Sequence, residues 1–107
     1  SVEDQARAVE RIPLLTRVPA VIRFLSVEPL LEEVRLAGLL NGIHWVIVGA
    51  ESGPGARKMA TSWVRTIRDD CARASIPLFY KQDAINGRKV SLPELDGVIH
   101  AAHPRSA

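Results

Sequence analysis

Residues 44–82, HWVIVGAESGPGARKMATSWVRTIRDDCARASIPLFYKQ, decide the fold. Residues 44–48 are almost all apolar, which predicts a strand buried on both faces, as in parallel sheets. A glycine-rich loop over residues 50–60 follows. Thr61 or Ser62 is placed to cap the clearest helix in the chain. Trp63, Ile67, Cys71 and Ala74 recur at spacings of four, four and three, so they form its apolar face, while Arg65, Arg68, Asp69 and Arg73 fill the rest. Ile76-Pro77 leads into a short strand, 78–80, that ends at Lys81-Gln82. Strand, helix, strand at this spacing is a parallel βα repeat.

The same rhythm extends upstream. Residues 21–26 read as a strand ended by Pro29. Leu30, Leu31, Val34, Leu36, Leu39 and Leu40 predict a short helix or two turns, stopped at Asn41-Gly42. Asp4 can cap a helix reaching about Arg11, and Pro13 is expected to break it. The chain therefore reads as an α/β protein with a parallel sheet of three to four strands in βα repeats over residues 1–82. Residues 83–107 form an irregular tail with turn signals at Asn86-Gly87 and Pro93, room for a small hairpin around 88–92, and an end expected to fray.

Composition narrows the classes. With 107 residues, 47% hydrophobic and 24% charged, the chain supports one packed domain or part of one. It starts at Ser1 without an initiator methionine, so a piece of a longer protein is expected. No apolar run approaches the roughly 20 residues that span a bilayer. The single cysteine, Cys71, allows no internal disulfide and no cysteine-only metal site, which fits a reducing, cytoplasmic setting. It falls on the apolar helix face and is expected to be an inert core thiol. A net charge of +2 is too weak to argue for nucleic acid alone. His100 and His103 lack a third ligand, so no metal site is expected.

The polar residues gather where function is expected. In parallel α/β sheets ligands bind at the carboxyl ends of the strands. Ser26 and Glu28, then Glu51 and Ser52, then Lys81 and Gln82 fall at such ends. Ser1 and Glu3 read as the stub of a further strand. Clustered carboxylates beside a lysine can shift one another's protonation, or accept hydrogen bonds from an amine or ribose. The bland reading stands beside this: strand ends are surface, and Glu51 can simply pair with Arg57. Gly53 and Gly55, followed by Arg57 and Lys58, make a second candidate. An eleven-residue glycine loop between strand and helix can cradle phosphate on its N–H groups. It matches neither the P-loop nor the dinucleotide pattern.

Several segments carry a family resemblance: RIPLL (11–15), RFLSVEPLL (23–31), IHWVIVGAESGPGARKM (43–59), IRDDC (67–71), IPLFYKQ (76–82) and ELDG (94–97). In that order they resemble the second half of a phage- and prophage-associated family of unknown function whose members look like radical-SAM-type barrels. The resemblance implies part of a TIM-type (β/α) barrel. It implies that an iron–sulfur cluster and S-adenosylmethionine belong to a complete parent, with the cluster held by an absent N-terminal half. Glu28, Glu51, Ser52 and Lys81 would line the pocket facing S-adenosylmethionine or substrate. This chain alone would hold no cofactor and be inactive. Its expected partners are that missing half or a second copy of itself. Two positions depart from the family pattern: Ala50 stands where a second glycine is common, and Asp83 follows Lys-Gln where an aromatic is usual. A phosphate- or nucleic-acid-binding module, and a structural or oligomerising domain, remain the alternatives.

Overall fold

The computed structural model describes residues 2–17, 22–51, 55–85 and 88–104. Helix α1 spans Gln5–Leu15, and Asp4 caps it by accepting the Arg7 N–H at 2.9 Å. Contrary to expectation, Pro13 does not break this helix. It lies in the last turn, where its missing N–H costs one bond, to the carbonyl of the exposed Val9. Thr16 closes the turn instead, donating its N–H to Ile12 O at 3.1 Å and its hydroxyl to Pro13 O at 2.9 Å.

Strands β1 (Phe24–Val27), β2 (Trp45–Gly49) and β3 (Leu78–Ile85) run parallel, and β4 (Arg88–Ser91) returns antiparallel to β3. The order is β1-β2-β3-β4. The sheet is open, so no barrel forms. Between β1 and β2 the second of the two expected forms is found: there is no helix, but turns at residues 37–39 and 41–42, closed by Leu39 N–H to Leu36 O and Ile43 N–H to Leu40 O. Backbone donors there are drawn sideways: Leu30 to Gly49 O, Leu31 to Glu3 O, Arg35 to the Gln5 side chain and Leu36 to Asp70. A helical ladder would need those N–H groups for itself. Leu30, Val34, Leu36, Leu40 and Ile43 nevertheless fill the core.

Helix α2 covers Thr61–Ala74. Its N-cap is Ala60, which offers no side-chain bond, so neither Thr61 nor Ser62 caps it. The buried face is Val64, Ile67, Asp70 and Cys71, one residue round from the predicted stripe at its start, with Trp63 only half-buried. Beyond β4, strands β5 (Glu94–Leu95) and β6 (Val98–Ile99) form a hairpin. Asp96 and Gly97 turn it with φ of 52° and 80°, the positive-φ pair that two-residue hairpins require. Residues 100–102 then lie along β3, where Tyr80 donates to His100 O and Ala102 to Leu78 O.

Strand alternation sorts the sheet into two faces. Leu25, Val27, Val46, Val48, Leu78 and Tyr80 join Ala8, Ile12, Val64 and Ile67 in one core. The opposite face carries Phe24, Ser26, Trp45, Ile47 and Phe79, all half-buried or exposed. The expectation that 44–48 would be buried on both sides is thus corrected: helices cover only one side.

Candidate functional site

Lys81 and Gln82 are not at the end of a strand, because β3 continues to Ile85. They still stand level with the carboxyl end of β2. Tyr80 pairs with Val48, but Gly49 pairs with Gln82, so Lys81 is an extra residue in β3. Such a bulge places two neighbouring side chains toward one partner residue. Both reach the carboxylate of Glu28, which follows the end of β1. Gln82 Nε2 donates to Glu28 Oε2 at 2.7 Å, and Lys81 Nζ lies 3.5 Å from the same oxygen. The carboxamide of Gln82 also donates to Ala50 O at 2.7 Å, while its backbone carbonyl accepts the Ala50 N–H.

This bridge spans three strands, and it passes over Gly49. A Cβ at Gly49 would sit 3.0 Å from Gln82 Nε2, 3.3 Å from Gln82 Cδ and 3.3 Å from Glu28 Cδ. The backbone of Gly49 is an ordinary strand conformation, so glycine is needed here for room, not for φ. Ser26 shares this face with Glu28, two residues earlier on β1, and its carbonyl accepts the Val2 N–H at 2.8 Å. Residues 2–3 therefore do lie along the outer edge of β1.

The remaining candidates are placed elsewhere. Glu3 lies 3.5 Å from Arg11. Glu51 is bound at both oxygens by Arg57: Nε at 2.6 Å, Nη2 at 2.8 Å and the backbone N–H at 2.9 Å. Those hydrogen bonds hold the Glu51 carboxyl down at about 2, and the same pair raises Arg57. Glu51 thus stays ionised and has no proton to exchange near neutrality, and Arg57 is already matched by an anion within the chain. Lys58 is exposed, and Gly55 turns the loop at a φ of +75° with open space around it. Ser52 and Gly53 lie outside the described residues.

Sequence reasoning missed several polar contacts. Asp70 is fully buried on α2 and accepts the Leu36 N–H at 2.7 Å, with Arg73 at 3.1 Å and Arg35 at 3.6 Å. Tyr80 donates to Asp83 at 2.6 Å in the interior; burial first, then this bond, pushes the phenol above its ordinary range. Arg65 and Arg68 both clamp Asp96 and hold its carboxyl down at about 2. Only the Asp96-Gly97 dipeptide gave a local cue, since the other pairs join residues distant in sequence or sit under an apolar pattern. Cys71 is 1% exposed, and burial followed by the Asp70 charge pushes its thiol up to about 12. Such a thiol is a poor source of thiolate for a cluster. Among the described residues, no group of three His, Cys, Asp or Glu side chains is arranged to hold a metal ion, and no helix is long and apolar enough to cross a membrane.

The polar bridge therefore presents a carboxylate, a lysine and an oriented amide at the carboxyl ends of parallel strands. Among the described residues, open clefts lie elsewhere. One is lined by Leu36, Gly38, Leu40, Asp70 and Ala74. A larger one, about 420 Å³, is lined by Gly38, Asn41, His44 and Ile76 at the amino ends of β2 and β3, so it lies at the opposite end of the sheet from Glu28.

The chain belongs to a family of proteins of unknown function, DUF5131, whose profile matches residues 1–104. No curated protein and no solved structure matches it.

Proposed function

We propose, from the resemblance of its segments to radical-SAM-type barrels and not from the family, whose function is unknown, that this chain is the C-terminal part of a radical-SAM-like, phage-borne enzyme of the cytoplasm. In this reading it supplies the rim that receives S-adenosylmethionine or the substrate. The observation that carries it is the meeting of Glu28, Lys81 and Gln82 over Gly49, at the carboxyl ends of β1 and β2 and beside the bulge in β3. Ligands of parallel α/β sheets bind at that end. Both N–H groups assigned to Gln82 Nε2 are directed at protein acceptors, which leaves its Oε1 as an acceptor beside the Glu28 carboxylate. Adjacent acceptors flanked by one ammonium suit a ligand with neighbouring donors, such as a ribose diol or an amino group.

The iron–sulfur cluster does not fit this chain. Its single cysteine is buried among the core side chains, and a cluster needs several thiolates. A separate N-terminal half holds the cluster in our reading and is the natural partner, so no radical step is assigned to the residues here. The isolated chain binds without catalysing.

Calorimetric titration of S-adenosylmethionine into the folded chain, beside Glu28→Gln and Glu51→Ala variants, tests this. Binding that Glu28→Gln loses and Glu51→Ala keeps is expected. Absence of binding by the folded wild-type chain, or equal binding by all three, refutes the assignment of the rim.

A further inference from the structure

The open face of the sheet carries a second feature that the polar rim does not use. Phe24, Trp45 and Phe79 come from three neighbouring strands and touch in series, with ring centroids 6.2 Å and 6.1 Å apart. His103 joins them from the segment after β6, 5.3 Å from Trp45 and 5.4 Å from Phe79. Ala102 O accepts the indole N–H of Trp45 at 2.8 Å, which satisfies that ring's donor and fixes its plane. Phe24 remains 54% exposed at one end of the series. A core would enclose such rings, but here they lie on the side of the sheet away from both helices.

Cations accompany them on the same face. Lys81 is exposed beside the bulge, its Nζ 3.5 Å from Glu28 Oε2 and still open to solvent. Lys89 pairs with Ala84, which shares the parity of Gln82, so its side chain emerges on this face too. Net charge is +2 and the isoelectric point about 9.1. The rings are inclined to one another, at 58° and 85°, so the exposed Phe24 is the one that offers a face for stacking. Exposed aromatic side chains on a sheet, with lysines nearby, are how several protein modules hold unpaired nucleobases and the phosphates between them.

We infer that the open face of β1–β3 binds single-stranded nucleic acid, with a base stacked on Phe24 at the end of the Phe24–Trp45–Phe79 series and the backbone drawn toward Lys81 and Lys89. The inference rests on the reading of this sheet as a ligand-binding one and names the substrate class. From Phe24 to Glu28 is four residues of strand, roughly 13 Å. About two nucleotides cover that distance, so a base stacked on Phe24 sets its neighbours beside the polar rim.

Fluorescence anisotropy of labelled ten-nucleotide oligo-dT and oligo-U with the full chain, at about 50 and 200 mM salt and without S-adenosylmethionine, tests it. Single strands are expected to bind, more weakly at the higher salt. Phe24→Ala is expected to weaken binding about 5- to 100-fold, Phe24→Tyr to retain it, and Lys89→Ala to reduce the salt dependence. Phe24 is exposed, so these variants should fold, and circular dichroism confirms it. The two oligonucleotides distinguish RNA from DNA. A duplex that binds as tightly as the single strand, an unchanged Phe24→Ala, no binding at all, or a face occupied by a second copy at the assay concentration overturns the proposal. Glu28→Gln removes a carboxylate 3.5 Å from Lys81, so it is expected to strengthen oligonucleotide binding rather than abolish it. A wild-type chain that binds oligonucleotide but not S-adenosylmethionine therefore refutes the rim alone.

Discussion

Gly49→Ala is the most discriminating perturbation of the bridge. The added methyl would lie 3.0 Å from Gln82 Nε2, closer than a carbon–nitrogen contact tolerates, so the carboxamide must move. That amide is 4% exposed and holds two bonds of 2.7 Å, to Glu28 Oε2 and Ala50 O. Losing the bond to the charged partner costs about 1.5–3 kcal/mol. Alanine restricts the unfolded chain more than glycine, which returns about 0.4–1 kcal/mol because the strand conformation suits it. The net cost is about 1–2 kcal/mol, roughly 5–15 °C in melting temperature for a domain near this size. In a Gln82→Ala background the nearest obstacle is gone, and the Glu28 carboxyl, 3.3 Å from the added methyl, is released from the carboxamide and can shift. Gly49→Ala should then be neutral or slightly stabilising, which gives a coupling of about 1.5–3 kcal/mol. Urea unfolding of the four proteins by circular dichroism measures it. Equal costs in both backgrounds would falsify the idea that Gly49 exists to let the bridge pass.

Three further outcomes follow from the buried and paired charges. The Asp96 carboxyl is lowered to about 2 in the folded chain from an ordinary value of 3.8, so its contribution is complete above about pH 4 and disappears as pH falls toward 2. Asp96→Asn should flatten the fall in stability across that window, and an unchanged acid-unfolding curve would contradict the Arg65–Arg68 clamp. Asp70→Ala should cost about 1–3 kcal/mol, chiefly by orphaning the buried Leu36 N–H, since exposed Arg35 and Arg73 regain water. A cost below about 0.5 kcal/mol in chemical denaturation would mean that Leu36 finds another acceptor. Cys71 should resist a thiol reagent in the native state at pH 8 and react fully in urea; rapid native labelling would show that α2 opens.

What was legible in the sequence followed periodicity. The three parallel strands and both helices appeared because apolar residues recur at the spacing that burial imposes. The link after Pro29 was legible only as a choice between a short helix and two turns; it turns because several of its N–H groups are taken by Gly49, Glu3, Gln5 and Asp70, all remote in sequence. The polar residues at the strand ends were legible singly. Their grouping was legible in part: the pairing of Glu51 with Arg57, six residues away, forms as it could be read, but the bulge at Lys81 decides that Gln82 meets Glu28. A one-residue irregularity in a ladder has no compositional mark. Strands β4 to β6 are two to four residues long, too short for alternation to declare itself.

The two ends of the described chain both lie against strand edges. Val2 donates to Ser26 O on the outer side of β1, while β4 and residues 100–102 together line the far side of β3. Unpaired strand edges are templates on which other chains add, and charged side chains on an outermost strand discourage that addition. Arg88 and Lys89 are exposed on β4. Trimming the residues before Asp4, or those after Ile99, would uncover hydrogen-bonding groups without removing either helix. Aggregation would then set in while the helices were still folded, so the solubility of a shortened chain would report on these ends rather than on its core.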